Sequence, residues 1–143
     1  MREVLRSALI GQPPERIYAL INDIESYPRF LPWCTHAAIE SQSQREIVAT
    51  LGVGRGALHI EFTTRNALQP HSAVTMKLVK GPFKSLSGGW QLTPIGDAGC
   101  RAELRLQFAF SSAVAVAIFE PWFESTAASL VDAFVKRSRV VYG

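Results

Sequence analysis

From Thr35 to Phe110 apolar residues fall at every other position, and that alternation restricts the chain more than any other feature. Successive side chains of a strand point to opposite faces, so a period of two means strands with one dry and one wet face. Leu58, Ile60 and Phe62 alternate with His59, Glu61 and Thr63, and Val74, Met76 and Leu78 with Thr75 and Lys77. Ala102, Leu104, Leu106, Phe108 and Phe110 alternate with Arg101, Glu103, Arg105 and Gln107. Turn residues separate the runs, at Gly52-Val53-Gly54-Arg55-Gly56, Gln69-Pro70-His71-Ser72, Lys80-Gly81-Pro82 and Pro94 to Gly99. Consecutive antiparallel hairpins in a meander are the economical topology.

The flanks differ from this middle. A β-like segment from Glu3 to Gln12 stops at Pro13-Pro14, where a helix of about two turns begins, with Ile17, Leu20 and Ile21 on one face. From about Ser112 to Arg139, Phe119, Phe123, Ala127, Leu130 and Phe134 recur at three- and four-residue spacing, which predicts a long helix with one apolar face. Pro121 predicts a late start or a kink, and Lys136, Arg137 and Arg139 complement the dipole at its end.

A curved antiparallel sheet with one apolar face needs a cover, and only the C-terminal helix is long and greasy enough to supply it. The fold class expected is therefore α+β, a helix-grip arrangement in which a curved sheet of six to seven strands wraps around that helix. One helix does not fill such a hollow, so a cavity is expected between them. Candidate wall residues are Leu58, Phe62, Met76, Trp90, Phe108, Phe123, Ala127, Leu130 and Phe134. For each of them ordinary core packing is the competing role.

Composition agrees with one folded unit. The 143 residues are 48% hydrophobic and 19% charged, far from the disordered regime, and no linker divides them. A net charge of +3 permits attraction to RNA or an anionic membrane without requiring either, and no DNA partner is expected. Cys34 and Cys100 are too far apart for a metal knuckle or a disulfide framework, which fits a reducing cytoplasm. The charged start from Met1 to Arg6 argues against a signal peptide. No run reaches the roughly 20 apolar residues of a membrane span.

Three stretches resemble the coenzyme Q-binding, START-like family, which is related to polyketide cyclases and dehydrases and includes bacterial ribosome association toxin A proteins. They are Asp23-Ile-Glu-Ser-Tyr-Pro-Arg-Phe-Leu-Pro-Trp-Cys34, Gly81-Pro-Phe-Lys-Ser-Leu-Ser-Gly-Gly-Trp90 and Ser129-Leu-Val-Asp-Ala-Phe-Val-Lys-Arg137. The resemblance implies a single domain over residues 1–143 with a helix-grip fold, and a hydrophobic ligand for which ubiquinone or a related isoprenoid quinone is the candidate. Its toxin branch implies a partner in the large ribosomal subunit.

Several motifs have two readings. Tyr27 to Cys34 puts three aromatics and two prolines in eight residues, so Phe30, Leu31 and Trp33 are either a lid over a ligand or a plug sealing the sheet. The glycine-rich run from Gly52 to Gly56 lacks a following helix and a Lys-Ser or Lys-Thr pair, which makes it a hairpin turn and not a phosphate loop. His36, His59 and His71 are dispersed with no nucleophile or carboxylate at catalytic spacing, and the inward register is almost wholly apolar, so no enzyme is expected. Cys34 is expected to be an inert buried thiol. Glu120 and Glu124, at helical i, i+4 spacing, read as a water-facing patch or as contacts to a ligand headgroup. Lys77, Lys80 and Lys84 near one turn, with Arg2, Arg6, Lys136, Arg137 and Arg139 at the chain ends, form a basic site for RNA or anionic lipid if they converge.

These readings lead first to a non-catalytic carrier of a lipophilic molecule supporting respiratory electron transport, with no required cofactor, in the cytoplasm or peripheral to the inner membrane. The alternative is a ribosome-binding regulator that blocks subunit association.

Overall fold

A computed structural model describes residues 1–143, the Arg55 side chain excepted. Strand β1 (Arg2–Ile10) is followed by helix α1 (Pro14–Asn22) and a 3-10 helix (Ile24–Arg29). Strands β2 (Cys34–Gln42), β3 (Glu46–Arg55), β4 (Leu58–Gln69), β5 (Ala73–Lys80), β6 (Phe83–Ile95) and β7 (Gly99–Phe110) then run as a meander. Together they form a seven-stranded antiparallel sheet in the order β1-β7-β6-β5-β4-β3-β2, with the first strand returning to pair with the last. The alternation sets which side is dry: on β7, Cys100, Ala102, Leu104, Leu106, Phe108 and Phe110 are all buried on the concave face. Helix α1 starts on Pro14 and buries Ile17, Leu20 and Ile21, as its spacing predicts.

The expected C-terminal helix covers the sheet but is interrupted at two single residues, into α2 (Ala113–Ile118), α3 (Glu120–Ala128) and α4 (Leu130–Tyr142). The first break, at Phe119, is the kink expected from Pro121, whose missing N–H cannot bond the Ala117 carbonyl. The second, at Ser129, carried no proline signal. Ser129 N and Oγ both donate to the Thr126 carbonyl, at 3.1 and 2.7 Å, and this three-residue contact replaces the four-residue helical bond.

The glycine-rich run also differs from its expected extent. Strand β3 continues through Arg55, and only Gly56 and Ala57 lie in the turn. Gly52 and Gly54 are required by close packing instead, since a Cβ at Gly52 would lie 2.3 Å from His36 Nδ1 and one at Gly54 would lie 2.5 Å from the Leu58 carbonyl oxygen. Leu58, expected on the cavity wall, is 41% exposed. It sits at the hairpin tip, beyond Thr63, where pairing with β5 ends, so nothing covers it.

Candidate functional site

Between the concave sheet face and helices α3 and α4 lies a cavity of about 100 Å³. Ala49, Leu51 and Val53 of β3, Phe62 of β4, Met76 of β5, Leu86 and Trp90 of β6 and Leu106 of β7 form its floor. Phe123, Thr126 and Ala127 of α3 and Leu130 and Phe134 of α4 roof it, while Ile24, Tyr27 and Trp33 close one side. Of the expected wall residues, Phe62, Met76, Trp90, Phe123, Ala127, Leu130 and Phe134 therefore meet around one space, and Trp33 joins them from the aromatic loop.

The remaining expected wall residues lie elsewhere. Phe108 is fully buried beneath α3, with its ring 4.9 Å from that of Phe123, so packing occupies the space a ligand would need. Leu31 is fully buried away from the cavity, in the role of a plug. Phe30 forms a second layer, its ring 5.3 Å from Phe134 and its other side covered by the Arg137 guanidinium at 5.0 Å. Leu58 lies on a shallow surface depression with Pro32, Thr35, His59 and Trp122. That depression shares Trp33 and Thr126 with the cavity, which marks these two residues as its mouth.

Three polar wall residues, Thr64 and Asn66 on β4 and Thr126 on α3, were not among the expected wall residues; the first two are deeply buried. Continuing the register of Ile60 and Phe62 along β4 would have found them, because positions 64 and 66 share that face. Tyr27 is polar too, but its hydroxyl donates to the Ile21 carbonyl, and burial pushes the phenol well above its usual pKa. Among the described residues the lining contains no carboxylate, imidazole, thiol or amine.

Outside the cavity, tertiary pairing makes contacts that sequence spacing concealed. His36 Nε2 lies 2.8 Å from Glu61 Oε2, and Thr35 Oγ1 lies 2.9 Å from His59 Nε2, all in exposed positions. Glu120 and Glu124 are neither a free patch nor cavity residues. Glu120 is 8% exposed and accepts from Arg2 Nε at 2.9 Å and from the Phe110 amide at 3.2 Å, while Glu124 accepts from Arg2 Nη1 at 3.1 Å. Burial alone raises the Glu120 carboxyl, but the Phe110 amide and Arg2 outweigh it and hold the group below the usual carboxylate range. Cys34 is buried, and desolvation pushes its thiol up to about 11. Among the described residues no cluster of His, Cys, Asp or Glu could hold a metal ion, and no helix is long and apolar enough to cross a membrane.

The basic residues fall in separate groups, on the β5–β6 hairpin and on α4. Met76 faces the cavity, so Lys77 points to the convex side, and Lys80 and Lys84 are exposed on either side of the Gly81-Pro82 turn. Lys136 and Arg137 belong to α4, on the concave side of the sheet.

A meandering sheet gripping a broken helix around an apolar hollow is the architecture of START-like proteins. The family model for polyketide cyclase / dehydrase and lipid transport matches residues 10–135, and the chain belongs to that family. It is 41% identical over 143 residues to the ribosome association toxin RatA of Vibrio cholerae, covering 100% of this chain and 99% of that one. It is 25% identical over 146 residues to the mitochondrial coenzyme Q-binding protein COQ10 of Saccharomyces cerevisiae, covering 96% of this chain and 70% of that one. Among solved structures, the Zhui aromatase/cyclase from Streptomyces sp. R1128 superposes with a TM-score of 0.85 at 17% identity, covering 96% of this chain and 93% of that one, a likeness of fold alone.

Proposed function

We propose that this protein is a non-catalytic regulator of ribosome association, which binds the large subunit and hinders its joining to the small one. The observation that carries this reading is the 41% identity with a ribosome association toxin across the whole of both chains, against 25% with the coenzyme Q-binding relative. The absence of an acid or base from the described cavity lining supports a role without catalysis. The exposed lysines of the β5–β6 hairpin, Lys77, Lys80 and Lys84, are the contacts offered to ribosomal RNA.

Purified protein added to dissociated subunits is expected to lower the 70S peak in a sucrose gradient and to sediment with the large subunit. Binding carried by phosphate contacts weakens as salt rises, and replacing the three lysines by serine is expected to lower the log–log salt slope by about three. An unchanged 70S peak with no sedimenting protein would overturn the reading.

The cavity favours a second activity on the same chain, the binding of a lipophilic molecule. Removing apolar surface from water is worth roughly 25 cal/mol per Å², so a greasy, closed space suffices for affinity. The cavity of about 100 Å³ is smaller than the roughly 300–1,000 Å³ of typical ligand pockets. It takes a ring or part of an isoprenoid tail, and a whole ubiquinone needs the roof of α3 and α4 to move outward. Organic extraction of the purified protein followed by mass spectrometry tests this: a stoichiometric quinone supports it, and an extract without lipid counts against it.

A further inference from the structure

The cavity wall is mostly hydrocarbon, and its two deeply buried polar groups stand together. Thr64 and Asn66 lie on β4 with side chains on the same inward face, 7% and 6% exposed. The Thr64 hydroxyl donates to Asn66 Oδ1 at 2.9 Å. That bond sets the orientation of the carboxamide. With its oxygen turned to Thr64, the Asn66 Nδ2 group keeps its N–H donors without a partner among the described residues, and Asn66 lines the cavity.

An amide donor without an acceptor in an apolar wall loses part of its hydration for no return, whereas a leucine of similar size would pack between the strand neighbours Ile47 and Met76 at no such cost. Packing therefore does not account for an amide at this place, and an acceptor arriving from the cavity does. The mouth, at Trp33 and Thr126, opens beside Leu58 at the far end of β4. Asn66 lies further along that strand, beyond Phe62 and Thr64.

The geometry points to Asn66 as an anchor for a carbonyl oxygen on a compact apolar ligand, a ring or aryl ketone, which enters head first and leaves its hydrocarbon part toward Trp33 and Thr126. Thr64 is the positioning residue, since its hydroxyl turns the amide donors inward. This assignment rests on the cavity reading above and is independent of the ribosome reading.

Two probes of matched shape test it on the full chain: acetophenone, which carries a carbonyl, and α-methylstyrene, which replaces that oxygen by a methylene. Titrations followed by 1H–15N NMR give both dissociation constants and report on the Asn66 side-chain amide directly. In the wild-type chain acetophenone is expected to shift the Asn66 Nδ2 resonances, and α-methylstyrene to leave them nearly in place. Asn66→Leu is expected to move the ratio of the two constants by about tenfold in favour of the hydrocarbon, the worth of one hydrogen bond. Thr64→Val, nearly isosteric, is expected to move the ratio the same way by a smaller factor, and it serves if Asn66→Leu fails to fold. If both probes bind but no variant alters their ratio, the anchor falls and the cavity stands. If neither probe binds the wild-type chain, the cavity reading falls and the anchor with it.

Discussion

Arg2 Nε donates to the buried carboxylate of Glu120 at 2.9 Å, joining groups 118 positions apart and holding the first strand to the start of α3. The carboxylate also takes the Phe110 amide at the end of β7, so one side chain secures three elements. Since its folded pKa is lowered, the ionised form favours folding above the ordinary glutamate value near 4.3, and that contribution is lost as pH falls through the folded value. The thermal midpoint of the wild-type chain is expected to fall more steeply between pH 5 and 3 than that of Glu120→Gln. Equal slopes in scanning calorimetry would show that this carboxylate does not couple folding to pH.

Phe134 is the hub of the cavity roof, with ring centroids 5.6 Å from Tyr27, 5.3 Å from Phe30 and 5.2 Å from Trp90. Phe134→Ala is expected to cost about 3–5 kcal/mol in urea unfolding with little change in m. Val141→Ala, at an exposed position of α4, is expected to stay within about 0.5 kcal/mol. A small loss at Phe134 would mean that the roof collapses to refill the space.

Ala127 turns its methyl into the cavity from α3. Ala127→Trp fills that space and is expected to abolish uptake of the single-ring probe α-methylstyrene, at a stability cost of about 1–3 kcal/mol from overpacking. A native near-UV dichroism spectrum with undiminished uptake would place the probe elsewhere on the molecule.

Burial sets the reactivity of Cys34. A thiol pushed up to about 11 is ionised in only about one molecule in a thousand at pH 8, and the thiolate is the reacting form. Cys34 and Cys100 are both buried, so a thiol reagent is expected to label neither at an appreciable rate until urea unfolds the chain. Rapid labelling of the native chain would reveal local opening of the segment from Tyr27 to Cys34.

Much of this was legible in the sequence, because the signals involved are local. Alternation on Val74 to Leu78 and Ala102 to Phe110, proline at the start of α1, and the three- and four-residue spacing from Phe119 to Phe134 each depend on neighbours within a turn or a pleat. They carry the meander, the apolar faces and the break near Pro121, but not the return of β1 to pair with β7. Eight of the twelve expected ligand-binding residues do line the cavity, since side chains on inward registers under a covering helix have few other places to point, but the β3 wall of Ala49, Leu51 and Val53 was not among them. The 41% identity with a ribosome association toxin favours the second of the two functions that the family resemblance implied, a matter local pattern had no means to decide.

What tertiary structure decided is where distant segments meet. Leu58 has the pattern of an inward residue, yet it lies at a hairpin tip where the sheet no longer extends beside it. Glu120 has the pattern of a wet helix position, yet the N-terminal strand returns past it and supplies Arg2. His36 and Glu61 meet across β2, β3 and β4, which is why Gly52 between them has no side chain to spare. Asn66, one polar residue among many on β4, becomes notable only because α3 and α4 roof the face it occupies. Periodicity specifies the face of an element; burial, ion pairs and cavity volume depend on strand register and on which segment returns to cover that face.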